Sequence, residues 1–153
     1  MPKPLDDVAE AQKFIDNHAE YLEVSKGNYI LGGFSAGGNL TALWGCDSTG
    51  YRKYGLPKPK MLFPIYAPIA TPKRQIPTPT GNYPPCYIAA CKDDALVNYT
   101  QSVILKNYLD QAGVRNVLDI GDRGGHGFGD GEGSDCKGWI DRAIVFLKKL
   151  ENK

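Results

Sequence analysis

Tyr29-Ile30-Leu31-Gly32-Gly33-Phe34-Ser35-Ala36-Gly37-Gly38-Asn39 is the most informative stretch of this chain. Tyr29-Ile30-Leu31 is a short apolar run, Gly32-Gly33 a glycine pair, and Ala36 to Trp44 a second apolar segment rich in small residues, so the order predicts strand, sharp turn, helix. Within it, Gly33-Phe34-Ser35-Ala36-Gly37 matches G-x-S-x-G, a pattern that acquires meaning in this context. A serine on a tight strand-to-helix turn holds strained backbone angles. Small residues at Gly33 and Gly37 let the chain pass close by, and Gly32 and Gly38 widen the room. The turn also sets Ser35 at a helix N-terminus, where the Ala36 backbone N–H can face a developing oxyanion and the helix dipole favours negative charge. Taken alone, five residues are a weak signal, because a glycine-rich turn can equally serve packing or cradle a phosphate. The phosphate alternative lacks the Lys-Ser/Thr pair of a P-loop.

On either side of this stretch, helices alternate with strands. Leu5, Val8, Ala11, Ile15, Ala19 and Leu22 recur at steps of three and four with Asp6, Asp7, Glu10 and Lys13 between them, which predicts an amphipathic helix with acids in its first turn. Asp47 to Lys60, with two glycines and two prolines, reads as a surface loop. Met61 to Tyr66 reads as a buried strand interrupted by Pro64, and Pro68 to Pro85 as a proline-rich connection. Cys86 to Ala90 is a continuous apolar run of the kind parallel sheets use, because both of their faces are covered. Val103 to Ala112 predicts a helix stopped by Gly113, Val117 to Ile120 a last strand, Gly121 to Gly133 a glycine-rich loop, and Ile140 to Leu150 a closing amphipathic helix. The expected architecture is one α/β domain over residues 1–153: three layers around a mostly parallel sheet of about four strands.

The 153 residues carry a formal net charge of +1, with 42% apolar and 23% charged residues. That balance leaves no electrostatic footprint for nucleic acid or an anionic membrane. No apolar run approaches the roughly 18 residues that span a bilayer, and Met1-Pro2-Lys3-Pro4 leads into Asp6-Asp7 instead of an apolar leader, so a cytoplasmic chain is expected. Cys46, Cys86, Cys91 and Cys136 form no CxxC pair and read as buried reduced thiols, not as a disulfide framework or a zinc site.

Two further clusters sit at strand ends. Asp93-Asp94-Ala95-Leu96-Val97 places acids after the Cys86 to Ala90 strand, where an α/β sheet builds its site; an Asp there can equally cap the following helix. Gly124-Gly125-His126-Gly127-Phe128-Gly129 follows the last strand, and a base that shuttles a proton between a serine and an acid is well served by a loop free of bulky neighbours. The only other histidine, His18, lies on the first helix and reads as an ordinary helix-surface residue. A metal site around His126, Asp122 and Asp130 lacks a second histidine, and one imperfect copy of a calcium-binding glycine repeat cannot stack with neighbours. The order Ser35, Asp94, His126, each after a predicted strand, is that of neither chymotrypsin nor subtilisin. In it His126 would act as base, Asp94 would fix the imidazole tautomer, and Ser35 would form an acyl-enzyme ester.

Gly-Phe-Ser-Ala-Gly-Gly-Asn, Lys-Asp-Asp-Ala-Leu-Val and Gly-Gly-His-Gly-Phe-Gly resemble the α/β-hydrolase superfamily, specifically bacterial esterase/lipase-type members close to acetylesterases and acetylxylan esterases. The resemblance spans essentially the whole chain and implies a catalytic triad of Ser35, Asp94 and His126. Asp94 opens the D-x-x-V pattern and Asp93 takes a supporting role, while Phe128 and Trp139 match the aromatic segment that leads into the last helix. It implies carboxylic ester substrates with short acyl or acetyl groups, acetylated sugars among them, and no cofactor or metal. Such enzymes begin with further strands and an H-G-G-G-type oxyanion loop, and nothing of that kind precedes Leu5. The expectation is therefore a C-terminal part of the fold, with one edge of the Tyr29 to Leu31 strand unpaired or paired by a partner, self-association included. A non-catalytic or weakly active assembly module stands as the alternative.

Overall fold

A computed structural model describes residues 3–152, and Met1 and Pro2, read above as part of a polar lead-in, lie outside them. The elements in chain order are α1 (Lys3–Asn17), β1 (Leu31–Phe34), α2 (Ala36–Gly45), β2 (Leu62–Ile65), β3 (Ala70–Thr71), β4 (Arg74–Gln75), β5 (Cys86–Cys91), α3 (Thr100–Gln111), β6 (Asn116–Gly121) and α4 (Trp139–Glu151). β1, β2, β5 and β6 form a four-stranded parallel sheet in that spatial order, and β3 and β4 form a separate antiparallel hairpin. Each sheet connection contains at least one helix or a long loop, as parallel pairing requires.

Two hydrophobic clusters define the layers. Leu5 and Ala9 of α1, Ala42 and Trp44 of α2, and Leu105 and Leu109 of α3 pack with Leu62, Cys86 and Ile88 on one face. Trp139 and Ala143 of α4 pack with Ile65, Tyr87, Ala89 and Cys91 on the other. All six residues of β5 are buried, the consequence of a strand covered on both faces. Because every sheet strand is parallel, the carboxyl ends at Phe34, Ile65, Cys91 and Gly121 open onto the same rim.

The first helix stops five residues short of the apolar pattern that suggested it. Asp16 Oδ1 accepts the Gly27 N–H at 2.8 Å, fastening the returning chain to the end of α1, and Tyr21, Leu22 and Val24 are left exposed in turns. Strand β1 also begins later than its apolar run suggests. Pairing starts at Leu31, whose N–H donates to Met61 O, and runs through both glycines into Phe34. β2 continues through Pro64, although proline offers no N–H to the ladder; its bonds to β5 on either side include Leu62 N–H to Pro85 O and Tyr66 N–H to Ala89 O. The proline-rich connection contains the small β3–β4 hairpin, which the sequence reading treated as irregular. β1 lies at the edge of the sheet, with Phe34 47% exposed. No described helix is long and apolar enough to cross a membrane.

Candidate active site

Ser35 stands between β1 and α2 with φ 54° and ψ −117°, a region L-residues rarely occupy. Its own N–H donates to Ile65 O and its carbonyl accepts the Asn39 N–H, so the residue is over-determined by the strand behind it and the helix ahead. The steric demands behind the glycines are uneven. A Cβ on Gly33 would lie 2.4 Å from Gly37 O, and one on Gly38 would lie 2.8 Å from Ile65 O and from Ala67 Cβ. Beside Gly37 there is open space. The close approach that the sequence reading assigned to Gly33 and Gly37 thus falls on Gly33 and Gly38, because helix α2 rests on β2 through Gly38. Ala36 is the first residue of α2, and its N–H has no intrahelical acceptor.

The structure brings all three residues of the expected triad together. His126 Nε2 lies 2.8 Å from Ser35 Oγ, and His126 Nδ1 lies 2.7 Å from Asp94 Oδ2. With Nδ1–H donating to the carboxylate, Nε2 is left as acceptor for the serine hydroxyl, the tautomer that the partners impose. The Asp94 side chain is fully buried and that of His126 is 17% exposed. Asp94 Oδ1 accepts the N–H groups of Leu96 and Val97, both at 2.8 Å, and this fixes the carboxylate so that Oδ2 faces the imidazole. The D-x-x-V spacing therefore has a local cause: the carboxylate caps the turn that starts three residues before Val97 and points its free oxygen away from it.

The histidine loop is held at several points. Asp93 accepts the N–H of Gly125 at Oδ1 (2.8 Å) and of Gly124 at Oδ2 (3.1 Å). These backbone donors, Gly125 first, hold its carboxyl below the ordinary carboxylate range. Trp139 Nε1–H donates to Gly129 O at 2.9 Å, and Phe128 is buried against Tyr66. Gly124, Gly125, Gly127 and Gly129 all have positive φ, so the tight path of the loop depends on residues without Cβ.

Tyr66 went unnoticed in the sequence. It follows β2, adopts φ 36°, and sets its ring 4.9 Å from that of His126 and 5.7 Å from that of Phe34. The sequence pattern takes it as the last residue of the Met61 to Tyr66 strand, since an isolated tyrosine carries no motif, whereas β2 ends at Ile65. Asp93 was visible as a neighbour of the acid, but its grip on the glycine loop rests on backbone pairing between distant segments.

The remaining candidates lie elsewhere. His18 follows α1, stacks on Phe14 at 4.1 Å and places Nδ1 2.8 Å from the Phe14 carbonyl. Asp122 pairs with Lys92 at 2.6 Å, and Asp130 accepts the Glu132 N–H. The four cysteines are free and buried. Burial pushes the Cys46 and Cys91 thiols up to about 12, and those of Cys86 and Cys136 upward too, so none is held as a thiolate.

No protein-family model and no curated protein matches the chain. Solved structures do. MGS-M1, an alpha/beta hydrolase enzyme from a Medee basin deep-sea metagenome library, superposes with a TM-score of 0.80 at 21% identity, covering 100% of this chain and 66% of that one. The acetyl ester-xyloside bifunctional hydrolase from Caldicellulosiruptor lactoaceticus gives 0.75 at 22%, covering 99% and 66%. The carboxylesterase Cest-2923 from Lactobacillus plantarum gives 0.79 at 19%, covering 96% and 67%. The chain thus spans about two thirds of the length of the structures it resembles.

Proposed function

We propose that this chain, which folds as the C-terminal part of an α/β-hydrolase, cleaves carboxylic esters through Ser35, His126 and Asp94. The observation that supports the reading most directly is the unbroken hydrogen-bonded line Ser35 Oγ, His126 Nε2, His126 Nδ1, Asp94 Oδ2, with 2.8 and 2.7 Å at its two links. In the reaction His126 takes the Ser35 proton as Oγ adds to the ester carbonyl, and Asp94 stabilises the imidazolium. The oxyanion forms beside the Ala36 N–H. The tetrahedral intermediate collapses, breaking the bond to the alcohol, which leaves with the proton from His126. Water, deprotonated by the same imidazole, then releases the acid from the acyl-serine. The names of the similar structures, carboxylesterases and an acetyl ester-xyloside hydrolase among them, favour short acyl groups, with acetylated sugars as one class.

The test is labelling with a fluorophosphonate probe together with hydrolysis of 4-nitrophenyl acetate. Ser35→Ala is expected to abolish both, and equal labelling of that variant would sink the assignment.

A second reading, an assembly module with weak or no catalysis, draws on the edge position of β1 and on Ala36 being the one oxyanion donor identified. Losing one such donor costs on the order of 10²–10³ in rate. An unpaired edge also offers its N–H and C=O groups to a second copy of the chain. Sedimentation of the wild-type chain against Ile30→Lys tests this. A concentration-dependent dimer that the lysine abolishes supports edge pairing, and a monomer at all concentrations rejects it.

A further inference from the structure

A groove leads away from Ala36 along α2. Two adjoining cavities of about 370 and about 480 Å³ share Asn39, Leu43 and Arg74 in their walls. The first borders Ala36 and Gly37 at the nucleophile turn, and the second extends to Lys53 and Lys73. Among the described residues, no aspartate or glutamate lines either cavity. None of the three cations is engaged in an ion pair among the described residues. Of the acids on neighbouring segments, Asp47 pairs with Arg52 at 3.2 Å, and Asp6 accepts from the Tyr54 hydroxyl at 2.7 Å and keeps its charge outside the cavity walls.

The wall that carries Arg74 is fastened to the sheet side of the site. Buried Asn39 on α2 donates from Nδ2 to Pro68 O at 2.8 Å, just before the β3–β4 hairpin. Gln101 Oε1 on α3 accepts the N–H groups of Ile69 and Ala70 at 3.0 and 2.7 Å, and Thr71 Oγ1 accepts the Arg74 N–H at 3.1 Å. Arg74 therefore belongs to a hairpin held by two helices, one of which starts at the nucleophile turn.

We propose that this groove receives an anionic oxygen group, a carboxylate or phosphate, carried by the ester some bonds away from the scissile carbonyl, and that Arg74 sets this preference. Three cations without an ion-pair partner, around cavities whose walls carry no carboxylate, concentrate anions, and the guanidinium fork of Arg74 matches such oxygens with paired donors. The inference rests on the hydrolase reading for its substrate, but the groove's charge preference can be measured without turnover.

The experiment uses mono-4-nitrophenyl succinate, which carries a free carboxylate, against neutral 4-nitrophenyl acetate. In the Ser35→Ala chain, the succinate ester is expected to bind at least about tenfold tighter than the acetate ester, in line with charge-assisted hydrogen bonding. Arg74→Gln should remove that difference, Arg74→Lys should keep part of it, and added salt should weaken it. With Ser35 present, Arg74→Gln should lower kcat/KM about tenfold for the succinate ester alone. Competition by succinate or by inorganic phosphate, each lost in Arg74→Gln, tells which oxygen group is preferred. Equal binding of the two esters, or a preference indifferent to Arg74, overturns the proposal. Arg74-dependent binding with no turnover in the wild-type chain overturns the hydrolase reading and leaves the groove standing.

Discussion

Asp93 and Asp94, consecutive in the chain, hold the same loop by different handles: Asp94 takes the His126 imidazole, and Asp93 takes the backbone N–H groups of Gly124 and Gly125. In the turn beyond β5, Asp94 is buried against the ring while its neighbour Asp93 stays at the surface and grips the main chain. In the proposed reaction the pair divides proton chemistry from placement.

That division ranks two substitutions. Asp94→Asn should lower kcat by on the order of 10⁴, as expected when the orienting acid of a triad becomes an amide. Asp93→Asn should cost about tenfold or less, since an amide oxygen still accepts one of the two loop N–H groups. Turnover of 4-nitrophenyl acetate by both variants checks this, and the reverse order would move the acid by one residue.

Acid should loosen the loop through Asp93. Its carboxyl titrates below the ordinary value of 3.8 because the folded state supplies backbone donors to its charged form. A group depressed in this way stabilises the fold above the unfolded value, and that contribution disappears as pH falls through the lower folded value. Unfolding midpoints followed from pH 6 downward should fall below about pH 4, with a shallower fall in Asp93→Asn. Identical curves for the two chains would remove Asp93 from the acid response.

The glycines around Ser35 should differ sharply. Gly33→Ala drives a methyl to 2.4 Å from Gly37 O and Gly38→Ala drives one to 2.8 Å from Ile65 O, whereas Gly37→Ala enters open space. Urea titration should show losses of about 1–3 kcal/mol or more for the first two, the cost of overpacking against backbone, and little change for the third.

At Ser35 itself, stability and activity should move in opposite directions. Glycine tolerates φ 54° and ψ −117° far better than serine, so Ser35→Gly should abolish hydrolysis while raising stability by about 1–3 kcal/mol, the usual cost of such a backbone. A melting temperature at or below that of wild type would show that the strain is relieved by contacts of the serine side chain.

The alternation of helices and parallel strands, and the placement of Ser35, Asp94 and His126 each after a strand of the sheet, were legible because apolar periodicity and glycine punctuation are local signals. Boundaries were less so. α1 ends early because Asp16 captures the distant Gly27 N–H, and β1 is shifted onto its glycines because pairing to β2, not apolar content, defines it. The β3–β4 hairpin was hidden in a proline-rich segment whose shape depends on Asn39 and Gln101 from two helices. Tyr66 and the role of Asp93 escaped for the same reason: each acts on a loop remote in sequence, and nothing within a short window announces it.

The link from Ser35 to His126 spans 91 residues and that from Asp94 to His126 spans 32. Loops of that length close at an entropic cost paid before their contacts reward it, and parallel pairing between strands about thirty residues apart adds to the delay. On a ribosome, which emits about 5–20 residues per second, the strained serine turn is made seconds before His126 exists. On the proposed mechanism the serine is therefore unarmed throughout early synthesis and becomes a nucleophile only when the last strand and the loop beyond it dock, so that reactivity is gained at the end of folding and not along the way.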